Sequence, residues 1–120
     1  MKRDKIIYWV TTGLVSAMMV MSAVQYLTNP EIEAGFKHLG FPAYFRIELA
    51  IAKLIGVIVL LLPMVSNNIK EWAYGGFVIT FISAFIAHTA SGDGLPAMIM
   101  PLVIMGVLLI SYRYWHKLLV

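Results

Sequence analysis

The chain contains no cysteine, which excludes disulfide exchange, thiolate zinc sites and cysteine-held iron–sulfur clusters. Charge is scarce as well: Asp, Glu, Lys and Arg make up 12% of the residues, and only 6 of them are acidic. Against 61% hydrophobic residues, so little charge lies far outside the balance of a soluble domain and identifies an integral membrane protein. A concentrated basic patch is missing too. The net charge of +3 comes mainly from Lys2, Arg3, Lys5, Arg113 and Lys117 at the two ends, so nucleic acid is not expected as a partner. A length of 120 residues supports one domain, 1–120.

What is present is organised around residues 42–62, PAYFRIELAIAKLIGVIVLLL, bounded by Pro42 and Pro63. At about 1.5 Å per residue this stretch makes a helix of roughly 31 Å, which matches the hydrocarbon thickness of a bilayer. It carries Arg46, Glu48 and Lys53, with Glu48 about 9 Å and Lys53 about 16 Å inside. Ionised groups at such depth are expensive in lipid and turn toward protein, water or each other. On a helical wheel Ile47, Ile51, Leu54, Ile55, Ile58, Leu61 and Leu62 share one arc, read as the lipid face. Arg46, Glu48, Ala50, Ala52, Lys53 and Gly56 occupy the rest, so the charges share a side with the small residues that permit close helix approach. Glu48 and Lys53 are about 140° apart and make a poor pair within the helix.

Three further spans are predicted, at 6–28, 71–90 and 96–112. The first follows the basic MKRDK. Its apolar run is too long for the core of a signal peptide and no small-x-small cleavage site follows, so it is read as a span. Thr12, Gly13, Ser16 and Ala23 form its expected packing face. Between spans 1 and 2, Asn29 can cap a short interfacial helix with Pro30 at its first position, Glu31 and Glu33 in its first turn and Gly40 as its stop. In the third span Gly76, Thr80, Ser83, Ala84 and Ala87 gather opposite Val78, Ile82, Phe85 and Ile86. Asp93 is expected to cap the fourth, and Pro101 to bend it. Tyr8, Trp9, Trp72 and Tyr74, with Tyr112, Tyr114 and Trp115, read as interfacial aromatics.

Four spans put both termini on one side. Lys2, Arg3, Lys5, Lys70, Arg113 and Lys117 lie on that side, against Lys37 and three acids on the other, so both termini are predicted to be cytoplasmic. Gln25, Tyr26, His38, Arg46, Glu48, His88 and Asp93 then fall in the outer half, with Lys53 deepest.

The string GFP followed by Tyr44, then Glu48, Lys53, Gly56 and LLLP at 60–63, KEWAYGGF at 70–77, and His88 before SGDG together resemble the DoxX-like family of small bacterial membrane proteins. The likeness covers most of the chain and is clearest from Phe41 to Pro101. The resemblance implies an all-α, integral membrane four-helix bundle in the bacterial cytoplasmic (inner) membrane. Relatives have been linked to quinone-dependent sulfur oxidation and to membrane oxidoreductase complexes in oxidative-stress defence. It implies also that Glu48, Lys53 and His88 belong to the family pattern, without a catalytic role for any of them.

The residues support two readings of the buried charges. In one, Glu48, Lys53, His88, Gln25 and Tyr26 line a polar pocket for a small apolar ligand such as a quinone, with Lys53 donating and Glu48 accepting. In the other, they make interhelical contacts that decide which helices meet. Arg46 reads as a snorkelling anchor. A haem would need His38 opposite His88, because His116 lies at the other interface, and is not expected. Nor is a metal site of His88 with Glu48 or Asp93, or copper on the methionines. The function read from the sequence is a ligand-binding or accessory subunit of a membrane redox system, without catalysis of its own, partnered by lipid and by an oxidoreductase subunit or further copies of itself. The alternatives are a small proton-coupled transporter using Glu48, or a membrane scaffold. Small four-helix efflux proteins carry their membrane glutamate in the first span, and here that span has none.

Overall fold

The computed structural model describes residues 2–119. Five helices follow in order, α1 (Lys2–Thr28), α2 (Pro30–His38), α3 (Ala43–Leu61), α4 (Asn67–Ser91) and α5 (Leu95–Leu119), and among the described residues there is no strand. The short helix expected before span 2 is α2. The Asn29 side chain accepts from the Glu31 N–H at 2.9 Å, Pro30 occupies the first position, and Gly40 stops the chain with a φ of 87° that a side chain would resist. Ser66 caps α4, and Gly92 ends it in the left-handed region.

Three helices, α1, α4 and α5, are long and apolar enough to cross a membrane. α3 stands apart because Arg46, Glu48 and Lys53 interrupt an otherwise apolar 19-residue helix. The remaining boundaries move outward from those predicted: α4 begins at Asn67 and α5 continues to Leu119, with Pro101 accommodated inside the helix.

α1 packs against α3 and α5, and α4 packs against α5 and α3, so each of the four long helices meets two others; α2 lies on α3 and α1. Lipid is as apolar as leucine, so such contacts depend on close packing and on hydrogen bonds rather than on escape from water. Gly56 shows the first. A Cβ there would lie 2.6 Å from the Phe77 ring, and only a hydrogen lets the ring of α4 rest on the backbone of α3. The second is a chain of hydroxyls: Thr12 of α1 meets Ser111 of α5 at 2.5 Å, and Ser111 meets Tyr74 of α4 at 2.7 Å. All three are buried, and together they tie three helices.

Several sequence expectations need correction. Tyr8, Tyr74 and Trp115, expected to lie open at the membrane interface, are buried against other helices, whereas Trp72 is 76% exposed. Lys70, counted as a loop charge, is buried in the first turn of α4 and donates to the Tyr8 hydroxyl at 3.2 Å. α4 packs through Tyr74, Phe77 and Phe81, and its small residues instead form a wall described below. Of the packing face predicted for α1, Thr12, Ser16 and Ala23 are buried, whereas Gly13 is half-buried with open space where a Cβ would stand.

Candidate functional site

α3 buries the stripe Ala50, Lys53, Val57 and Leu60, an i, i+3, i+7, i+10 series that keeps one face against the other helices. Lys53 is therefore carried inward, and it is 5% exposed. Its ammonium donates to the hydroxyls of Ser22 at 2.9 Å and Tyr26 at 2.6 Å, both on α1, and lies 3.9 Å from the centre of the Tyr26 ring. Ser22 and Tyr26 are one helical turn apart and so meet the same partner. The Arg46 guanidinium donates to the Tyr26 carbonyl. It satisfies an orphan carbonyl in the last turn of α1 and thereby joins that helix end to α3, where a free anchor was expected.

Lys53 borders an apolar space of about 370 Å³ between α3 and α4, walled by Leu49, Gly56, Trp72 and Phe77, and two further, adjoining chambers open around this cluster. One, of about 420 Å³, is lined by Lys53, Ser22, Gln25, Tyr26 and His88, with Met18, Met21, Met100 and Ile104 among its apolar walls. The other, of about 570 Å³, lies under α2, between Phe36, Phe41 and Phe45 on one side and Thr80, Ser83, Ala84 and Ala87 of α4 on the other. Tyr26, Ile32, Thr80, Ala84, His88 and Ala97 line both, so the chambers share a boundary. The small residues of α4 leave this space open; they do not close it against a neighbouring helix.

At the rim, Asp93 accepts from two histidines. Its Oδ2 meets His88 Nδ1 at 2.8 Å and its Oδ1 meets His38 Nε2 at 2.8 Å. Asp93 was expected to cap α5, but its carboxylate instead bridges α2 to α4. The hydrogen bond from His88 chiefly, then that from His38, holds the Asp93 carboxyl below its usual pKa. The rim is graded in exposure, with His38 at 59%, His88 at 30% and Asp93 at 21% of the side chain.

Of the five residues proposed from sequence, the fold brings Lys53, Tyr26, Gln25 and His88 to one chamber. Glu48 is not with them. It lies on the exposed side of α3, away from the buried stripe, and makes no side-chain hydrogen bond among the described residues. Gln25 lines the chamber through an exposed side chain with no side-chain partner there. Ser22 was overlooked, although its spacing one turn from Tyr26 is readable in the sequence. The joining of His38 to Asp93 has no such signal, since 55 positions separate them.

Two kinds of chemistry are thus gathered: hydrogen-bond donation from a buried cation and hydroxyls, and a histidine oriented by a carboxylate. The sequence signature of the DoxX-like family matches residues 10–111, which takes in every residue of this cluster. No curated protein and no solved structure matches the chain significantly.

Proposed function

We infer, from the premise that the chain belongs to the DoxX-like family, that this membrane protein holds a small lipophilic ligand in the chamber beside Lys53, as an accessory subunit of a redox system in the bacterial inner membrane. The observation that carries the reading is the Lys53 ammonium, nearly buried and held by two hydroxyls at the edge of an apolar-walled space. A structural lysine would be expected to be sealed by packing; this one lines a cavity. A ligand with a polar head and an apolar body, of which a quinone is the example the family resemblance suggests, suits donors at one end and methionine and isoleucine walls around it. Lys53 and Tyr26 are the residues that hold the head, with Gln25 and His88 on the same chamber.

In this reading all four long helices span the bilayer as a four-helix bundle and both termini face the cytoplasm. α3 can cross because Lys53 is satisfied inside and Arg46 is bonded to α1. Lys2, Arg3, Lys5, Arg113 and Lys117 supply the cytoplasmic positive charge. The chamber then opens toward the outer half of the membrane. The redox connection rests on the family resemblance, and the ligand site on the geometry.

Native mass spectrometry of the full chain in mild detergent, wild type beside Lys53→Met, tests the ligand site. The expected result is a bound small molecule of defined mass on the wild type, lost from a variant that still unfolds cooperatively. A bare chain in both, even after incubation with a short-chain quinone, would overturn the reading.

A further inference from the structure

We propose that the chamber takes its ligand as an oxyanion: a weakly acidic hydroxyl on an apolar ring gives its proton to His88, and the resulting oxygen anion rests on Lys53. The inference deepens the ligand-binding reading and depends on it, by specifying the chemical class of the head group and the fate of its proton.

The charge inventory carries the argument. Lys53 is 5% exposed, and the carboxylates that meet a basic side chain among the described residues, Asp93 with His38 and His88 and Glu71 with His116, leave it without one. No Asp or Glu lines the 420 Å³ chamber on which Lys53 sits. Hydroxyl oxygens solvate an ammonium but do not neutralise it, and a buried cation is stabilised most by an anion brought against it. Two of the three N–H groups of Lys53 are used by Ser22 and Tyr26, which leaves one for a ligand.

A proton acceptor stands on the same chamber. His88 donates through Nδ1 to Asp93, so its lone pair is on Nε2, which has no hydrogen-bond partner among the described residues. Asp93 holds the ring in that tautomer and offers a counter-charge once the ring is protonated. His38 bonds the other oxygen of the same carboxylate and keeps it in place. The remaining titratable groups facing the two chambers are Tyr26, and Glu31 on the α2 side. Neither competes for the role, because Tyr26 is already the acceptor of Lys53 and Glu31 lies outside the chamber that Lys53 lines.

The step balances without a further reactant. The ligand O–H bond breaks, its proton forms an N–H bond at His88 Nε2, and the electron pair remains on the ligand oxygen, which accepts the free N–H of Lys53. Imidazolium beside Asp93 and oxyanion beside ammonium are the two products. A neutral carbonyl ligand would use Lys53 as a donor and leave His88 idle.

A 5-hydroxy-2-alkyl-1,4-naphthoquinone serves as probe, because its hydroxyl is a weaker acid than imidazolium, so that an imidazole can still accept its proton, and because its ionised and neutral forms differ in visible absorbance. The full chain in detergent is titrated with it at a pH about one unit below the probe's own pKa in the same detergent, where the neutral form dominates about tenfold. The expected result is a bound probe with the spectrum of the anion. In weakly buffered solution with an indicator dye, wild type takes up the probe and keeps the proton, whereas His88→Gln releases it to the medium. A bound probe with the neutral spectrum overturns the proposal, and equal proton release from both proteins overturns the role of His88. The wild-type spectrum decides the first point even if a Lys53 variant fails to fold. The same naphthoquinone lacking its hydroxyl separates this proposal from its premise: if it binds while the hydroxylated probe stays neutral, the oxyanion is refuted and the ligand site stands. If neither binds, both fall.

Discussion

The hydroxyl of Tyr26 accepts from Lys53 at 2.6 Å while the ring of the same residue lies 3.9 Å from that ammonium, so one side chain of α1 provides both an acceptor and a π face to the one cation that α3 buries. A polar link of this kind between α1 and α3 suits a membrane, where apolar packing alone gains little over contact with lipid.

Tyr26→Phe keeps the ring and removes the acceptor. The ammonium then retains Ser22 alone, and the expected loss is about 1.5–3 kcal/mol, the usual range for a hydrogen bond to a charged group. Tyr26→Leu removes the π face too and is expected to cost more. Equilibrium unfolding in mixed detergent micelles measures both. Equal stability of Tyr26→Phe and wild type would show that the hydroxyl does not hold the lysine.

Gly56→Ala places a methyl 2.6 Å from the Phe77 ring, which is itself buried. The α3–α4 contact must spread, at a cost of about 1–3 kcal/mol for an overpacked core. Adding Phe77→Leu should recover part of the loss, and the two substitutions should couple in a double-mutant cycle. Strict additivity would mean that the helices do not meet at this point.

Ser111 sits between Thr12 and Tyr74. Ser111→Ala strips a partner from two buried hydroxyls at once and is expected to destabilise by about 1–3 kcal/mol. Truncating Thr12 as well, in Thr12→Val with Ser111→Ala, should cost less than the sum of the two single changes, since unsatisfied groups and not lost bonds make up most of the penalty. Thermal unfolding of the three variants gives the comparison.

Asp93 has a pKa lowered by the hydrogen bonds from His88 and His38. Because the folded value lies below the unfolded one, its contribution to stability is present in full above the ordinary carboxylate range and is lost as pH falls through the folded pKa. Asp93→Asn is therefore expected to lower the melting temperature at neutral pH, with the gap to wild type narrowing in strongly acidic solution. A gap that stays constant down to that range would exclude the carboxylate charge as its origin.

Much of the chain's local structure could be read directly. Asn29, Pro30 and Gly40 mark α2 because capping, proline at the first turn and positive φ are properties of single residues. The row Ile47, Ile51, Ile55 and Ile58, read as the lipid face, is exposed as the wheel predicts. The wheel misplaced Glu48, which was grouped with Lys53 because both lie among small residues. α3 in fact buries the line from Ala50 to Leu60, and Glu48 is turned away from it by about 160° relative to Ala50. Small residues permit close approach but do not require it: Gly56 is used by Phe77, whereas Ala52 is exposed.

The burial of three of the aromatics escaped the sequence reading for a related reason. Tyr8, Tyr74 and Trp115 lie near helix ends, where a belt is expected, but the end carrying both termini is packed: Tyr74 stacks on Trp115 at 5.6 Å, and Lys70 reaches Tyr8. Position along a helix is legible from sequence, while rotation about its axis depends on the neighbours.

The sequence by itself determined that the chain lives in a bilayer, that it is helical, and roughly where each helix begins and ends, because hydropathy, proline, glycine and capping residues act locally. Only the tertiary structure decided which charge is buried and what it meets. Lys53 reaches Ser22 and Tyr26, and His38 and His88 converge on Asp93, because the register between helices is set by the sum of all their packing contacts. No single stretch of the chain contains that sum.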